Sequence, residues 1–271
     1  MNTDDIEILA DKVGVPIRKL SAETVAKIND APQAQKRTAT YKKAVYIVED
    51  LVFKGPYVSD KDYFRLMNNL RYTYAIQQLE EALHLTGWKR GALPWKYIGQ
   101  WGVDQYYLVT PNVGKWKDIS PNPAKSGYDP TAMIVPREKH VMRVSDMEKP
   151  GQLTDDIKSV ALQHLYLRFI LGIADSGTHN ILIREDYDRT DRLIAGIDLE
   201  DRRGNIVNNS RLSLLFSKLY KKHIPLYGSA VRKINSLSYS QLDQHTTDRL
   251  CVVGINLAKL KVKMELWDSL N

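Results

Sequence analysis

Three residues have types and spacing that suit chemistry: Asp175, Asn180 and Asp198. In "FILGIADSGTHNILIR", residues 169–184, the front half reads as the end of an apolar helix and the back half as a strand. Between them, Asp175-Ser-Gly-Thr-His-Asn180 is a polar turn with a carboxylate and a carboxamide on one short connector. A second strand-like run, "LIAGID", ends on Asp198, so a hairpin of the two strands delivers Asn180 and Asp198 at the same end. A buried acid there must be paired, protonated or bound to a cation. Asn and Asp oxygens are hard ligands, and magnesium takes few protein ligands together with phosphate oxygens. Asp175, left free of metal, is suited to accept the proton of an incoming hydroxyl. Asp-x4-Asn alone reads first as a turn cap, because Asx side chains bond their own backbone; "NILI", the second strand and "IDLED" turn the balance to the functional reading.

The elements that must position these residues can be read on either side. Residues 154–174 predict a buried helix, apolar on most of its circumference and interrupted by His164 and Arg168. Upstream, helical spacing covers 5–30, with Ser21 and Thr24 in a capping-box pattern. "AVYIVEDLVFK", 44–54, predicts a strand or hairpin that stops at Gly55-Pro56. Residues 59–85 predict a long helix with a Ser/Asp start and apolar positions at Phe64, Met67, Leu70, Tyr74 and Leu79. Residues 93–112 predict two strands about Gly102, and 112–152 is broken by Pro and Gly around one strand-like run, "KHVMRVSD". The stretch 210–271 reads as helical. The domain expectation is an N-lobe at 1–112, a connector or insertion at 113–153 and a helical C-lobe at 154–271. A cleft between lobes is where a ligand is expected.

Composition narrows the partners. With 43% hydrophobic and 26% charged residues the chain is of ordinary globular type, which excludes disordered and fibrous classes. No run approaches the length needed to span a bilayer, and "MNTDDIEILADKV" lacks the basic start of a signal peptide. The single cysteine, Cys251, rules out an internal disulfide and is expected to be a buried small hydrophobe within "RLCVVGINL". These features predict a soluble intracellular protein, cytoplasmic or nuclear. A net charge of +7 points to an anionic partner: a nucleotide, a phosphorylated lipid or nucleic acid. The basic residues are scattered, so the nucleic-acid reading rests on charge alone.

Asp-x4-Asn, an apolar strand and then Ile-Asp resemble the catalytic and metal-binding hairpin of the protein-kinase-like superfamily. "FILGIAD…NILI…GID" is most similar to its phosphatidylinositol 3-/4-kinase and related-kinase branch. The resemblance covers 44–112 and 154–204 at motif level. It implies an α+β, two-lobed protein-kinase-like fold with a strand-rich N-lobe and a mainly helical C-lobe, and an ATP- and magnesium-dependent phosphotransferase acting on a lipid, small-molecule or protein hydroxyl. It makes Asp175 the catalytic aspartate that orients or deprotonates the hydroxyl, Asn180 and Asp198 the magnesium ligands, and Lys54 the phosphate lysine with Asp62 as its ion-pair partner. It sets Tyr107 to Thr110 along the adenine pocket, with Tyr107 and Val109 as cofactor-binding residues. Arg202 and Arg203 follow the metal aspartate and are candidates to hold an anionic substrate. The pattern also departs from the family. Asp175-Ser176-Gly177 stands where Asp-Arg-His is usual, which leaves His179 as the loop's histidine. Leu199-Glu200-Asp201 replaces Phe-Gly, and no glycine-rich phosphate loop precedes residue 44. The alternative is therefore a pseudokinase, a nucleotide-binding scaffold or interaction module without transfer.

Overall fold

The N-terminal segment expected to be helical folds as two helices around a short strand: α1 (Thr3–Lys12), β1 (Ile17–Lys19) and α2 (Ala22–Asp30). The computed structural model describes residues 3–31, 44–85, 95–112, 115–116, 140–143, 155–173, 180–184, 194–196, 199, 234 and 236–269. Gly14, with φ +68, and Pro16 stop α1. Ser21 caps α2, its hydroxyl accepting the Thr24 amide at 3.1 Å. A Thr24 hydroxyl 2.9 Å from Ser21 Oγ stands where a capping box would have Glu or Gln.

β1 belongs to a five-stranded mixed sheet in the order β1-β4-β5-β3-β2, where β2 is Ala44–Val48, β3 Leu51–Tyr57, β4 Tyr97–Trp101 and β5 Gln105–Pro111. β1 runs parallel to β4, and the other pairs are antiparallel. The β2–β3 turn is Glu49-Asp50, with Glu49 at φ 56. Gly55-Pro56 does not end the strand, as the sequence suggested. β3 continues through it to Tyr57, with a register irregularity between Lys54 and Tyr57. Proline gives the ladder no N–H, and the strand accommodates it as a bulge. Glycine is required beside it, because a Cβ at Gly55 would lie 2.8 Å from both the Tyr106 carbonyl oxygen and the Tyr107 ring.

Helix α3 (Asp60–Ala82) starts at Ser59, whose hydroxyl accepts the Asp62 amide at 3.3 Å. Asp60 and Asp62 complement the positive end of its dipole. One apolar face, Tyr63, Leu66, Met67 and Leu70, packs on the sheet with Ile6 and Leu9 of α1 and Ile98, Tyr106 and Leu108 of the strands. A second face, Ala75, Ile76 and Leu79, joins a helical core. Between them Asp62, Arg65, Asn69, Thr73 and Glu80 recur at helical spacing and are also buried. α3 is therefore interior on most of its circumference. The opposite face of the sheet is covered by α2, through Val25 and Ile28 against Phe53, Tyr97, Tyr107 and Val109.

The helical core is built on α4 (Asp155–Leu171), with Leu162, Leu165, Tyr166, Phe169 and Ile170 buried. A four-stranded sheet, β6-β7-β8-β9, follows the order β6 (Lys115–Trp116), β7 (His140–Arg143), β8 (Ile181–Arg184) and β9 (Ile194–Gly196). The two strands from the expected connector thus extend the expected hairpin, β7 pairing with β8 and β6 with β7. Helices α5 (Gln244–Val252) and α6 (Leu257–Ser269) complete six α-helices among the described residues. Trp267 of α6 sits edge-on to Tyr166, with ring centroids 5.1 Å apart. Cys251 corrects the sequence expectation: it is exposed. α5 turns Thr246, Thr247 and Leu250 inward, and the next residue points about 100° away from Leu250. Among the described residues no helix is long and apolar enough to cross a membrane.

Candidate active site

β8 and β9 are antiparallel, with Ile181 opposite Gly196. Asn180 immediately precedes β8 and is buried, with 3% of its surface exposed. Its main-chain carbonyl accepts a hydrogen bond from Arg168 Nη2 at 3.5 Å. Alternating β-branched and apolar residues make "ILIR" and "IAG" a strand pair, and that pairing fixes where Asn180 enters. Asp198 follows Gly196 by two positions in sequence. It lies outside the described residues, as do Asp175, His179, Arg202 and Arg203.

Arg168 was visible in the sequence only as an interruption of an apolar helix. The structure gives it a place: fully buried in the last turn of α4, one helical turn after His164. His164 is also buried, and its pKa is pushed down to about 3, first by burial and then by the Arg168 charge. It is therefore neutral at physiological pH. Gly172 closes α4 with φ +75. The Gly172 amide bonds to the Phe169 carbonyl at 3.0 Å and the Ile173 amide to that of Arg168 at 2.8 Å. This left-handed glycine ending turns the chain sharply out of the helix immediately before Asp175 in sequence.

Lys54 and Asp62 lie on the α3 side of the large sheet. Lys54 on β3 is in register with Leu108 of β5 and Val45 of β2, opposite in pleat to Phe53. Leu108 packs among the α3 residues, so Lys54 shares their face. The buried Asp62 carboxylate accepts the Val58 amide at 3.3 Å through Oδ2, and its Oδ1 lies 3.8 Å from Arg65 Nη1. Tyr107 and Val109 are on the other face. Both are buried in the core under α2, and Tyr107 meets Phe53 edge-on at 6.4 Å. Burial is the main cause that raises the Tyr107 hydroxyl pKa, followed by Tyr46. Within 107–110, the side chains sharing the Lys54 face are Leu108 and Thr110, the latter opposite Val52 and buried. The fold thus brings Lys54 and Asp62 to one face and separates the Tyr107 and Val109 side chains from them.

The β2–β3 turn, which leads into the Lys54 strand, holds no glycine. Lys27 of α2 reaches Glu49 at 2.8 Å and Glu23 at 3.0 Å, while the Asn112 amide bonds to the Asp50 carbonyl at 2.7 Å. This turn is acidic and tethered. Comparison of the chain with family models, curated proteins and solved structures finds no match in any of the three.

Proposed function

We propose that the chain is an ATP- and magnesium-dependent phosphotransferase of protein-kinase-like, two-lobed architecture, acting on a hydroxyl of a lipid, small molecule or protein. The observation that carries the reading is Asn180, buried at the head of β8 where the β8–β9 pair ends and held by Arg168. Support comes from the order strand, helix, two strands, in which β5 returns beside β3 and Lys54 faces the side covered by α3. In this reading Asn180 and Asp198, both hard oxygen donors, hold magnesium, which neutralises phosphate charge when bound. Lys54 holds the phosphates and is itself oriented by Asp62. Asp175 accepts the proton of the acceptor hydroxyl, and His179 is the loop's second proton acceptor. Adenine contacts along β5 fall to the main chain, since the Tyr107 and Val109 side chains are committed to the core under α2 and Leu108 to the core under α3.

A second reading has its own observation. The turn leading into the Lys54 strand, Glu49-Asp50, holds no glycine and its Glu49 carboxylate is paired with Lys27, so it offers no glycine-rich cradle for a phosphate. Together with the missing Asp-Arg-His, this favours a pseudokinase that binds nucleotide without transfer. Slow ATP hydrolysis, with water as acceptor, separates the two. The transferase reading expects magnesium-dependent hydrolysis that Asp175→Asn lowers about 100- to 10,000-fold, the usual worth of a general base. Nucleotide binding without hydrolysis or transfer to any lipid or peptide hydroxyl supports the scaffold instead.

A further inference from the structure

We propose that α5 and the turn that closes it strap α3 in place, so that the helix carrying Asp62 and the C-terminal strap open as one unit. Three side chains at the end of α5 reach both cores that α3 divides. Leu250 is fully buried in the helical core with Ala75, Ile76 and Leu79 of α3. Val253 is buried in the sheet-side core with Met67 and Leu70 of the same helix. Ile255 packs against both. The turn makes this possible. The Gly254 amide, at a residue with φ +81, bonds to the Cys251 carbonyl at 2.8 Å, and the Ile255 amide returns to the Leu250 carbonyl at 2.9 Å. This glycine ending folds the chain back, so that Ile255 lies against the helix it has just left.

Two polar contacts set the register of the strap along α3. Arg249 Nη1 donates to Gln78 Oε1 at 2.8 Å. The Arg71 guanidinium, about two turns earlier on α3, comes within 3.6 Å of where a Cβ at Gly254 would stand. α5 therefore runs antiparallel to α3, and a cation of α3 meets the negative end of its dipole. Arg71 is itself steadied by Asn68, whose Oδ1 accepts from Nη1 at 3.1 Å. With nine residues α5 is too short to persist as an isolated helix, so it keeps its form only while packed. When it leaves, both apolar faces of α3 lose cover. The bearing on Asp62 rests on the phosphotransferase reading, whereas the shared opening does not.

Native-state hydrogen exchange of the ligand-free chain in low urea tests it. Amides of α5, Gln244–Val252, and of residues 71–79 should report one opening, with the same free energy and the same urea dependence. Arg249→Met should raise exchange in both sets by the same factor, about two- to tenfold, the worth of one hydrogen bond. Val253→Ala, which deletes buried methyl groups, should raise both by about tenfold or more. A separate, lower opening of α5 that leaves 71–79 protected overturns the proposal, and so do wild-type rates in Arg249→Met. If Val253→Ala does not accumulate folded, the half-buried Arg249→Met is read against the same two results. Thermal shift with magnesium-ATP keeps the questions apart. A wild type with no shift sinks the nucleotide reading and leaves the ligand-free exchange to decide this one. In a wild type that does shift, magnesium-ATP should slow exchange in α5 together with 71–79. Bound nucleotide that leaves α5 at its ligand-free rate overturns the hold on Asp62.

Discussion

Arg168 Nη2 donates to the main-chain carbonyl of Asn180 at 3.5 Å, tying the last turn of α4 to the head of β8 across residues 174–179. A guanidinium with no exposed surface is costly to bury, and its N–H groups must be used to offset that cost. Here one of them fixes the residue that the functional reading assigns to the metal.

Arg168→Met keeps the apolar volume and removes the donor. It should lower stability by about 1–3 kcal/mol, the cost of leaving a buried carbonyl without its bond. Urea unfolding measures this as a lower midpoint with an unchanged slope. An equal or higher midpoint contradicts the role given to Arg168.

His164 makes stability pH-dependent. Its folded pKa, about 3, is depressed below the ordinary 6.5, so the unfolded chain binds the proton more readily. The stabilisation is full above pH 6.5 and is lost progressively as pH falls toward 3. Between pH 6 and pH 5 the loss from this group approaches about 1.4 kcal/mol per pH unit. Denaturant titrations of wild type and His164→Leu at the two pH values should differ in slope by that amount. Identical slopes exclude it.

The two faces of the large sheet predict opposite outcomes for neighbouring residues. Lys54→Met, on the α3 face, should weaken magnesium-ATP binding at least tenfold, whereas Tyr107→Phe, buried under α2, should leave it unchanged. Isothermal titration decides between them. Weakening by Tyr107→Phe with no effect of Lys54→Met reverses the face assignment.

Gly55→Ala would set a Cβ 2.8 Å from the Tyr106 carbonyl oxygen and from the Tyr107 ring. Backbone cannot step aside as a flexible side chain can, so β3 and β5 must separate at the bulge. A loss of about 1–3 kcal/mol is expected, typical of overpacking. An unchanged midpoint shows that the strands give way at no cost.

How much of this could be read from the residues depended on whether local pattern or tertiary pairing decided each element. Ser59 followed by Asp60 and Asp62 marks the start of α3 because an N-cap is local chemistry. β8 and β9 were legible as apolar runs around a polar loop. β1 was not, since three residues become a strand only by pairing with β4. Gly55-Pro56 carries the same signal in a turn and in a bulge, and only the Tyr106 approach distinguishes them. Tyr106 to Val109 is a continuous apolar run with no period of its own, so which of Tyr107 and Leu108 shares the Lys54 face waits on the register with β3. Cys251 shows the reverse error: an apolar neighbourhood in sequence concealed an outward position on α5. At the candidate site, Asn180 could be placed, while Asp175, His179 and Asp198 lie outside the described residues. The support from Arg168 was hidden, because it looked like an interruption of an apolar helix.

The most direct test of the magnesium–nucleotide site is a thermal shift with ATP, with and without magnesium, on wild type and Asp198→Ala. Ligand at about 100 times its dissociation constant stabilises by about 2.7 kcal/mol. The predicted result is a magnesium-dependent rise in melting temperature for wild type. Asp198→Ala should lose the magnesium-dependent part while melting normally without ligand. A wild type that does not shift at millimolar ATP under either condition contradicts the account, and so does an Asp198→Ala protein that keeps the full magnesium-dependent rise.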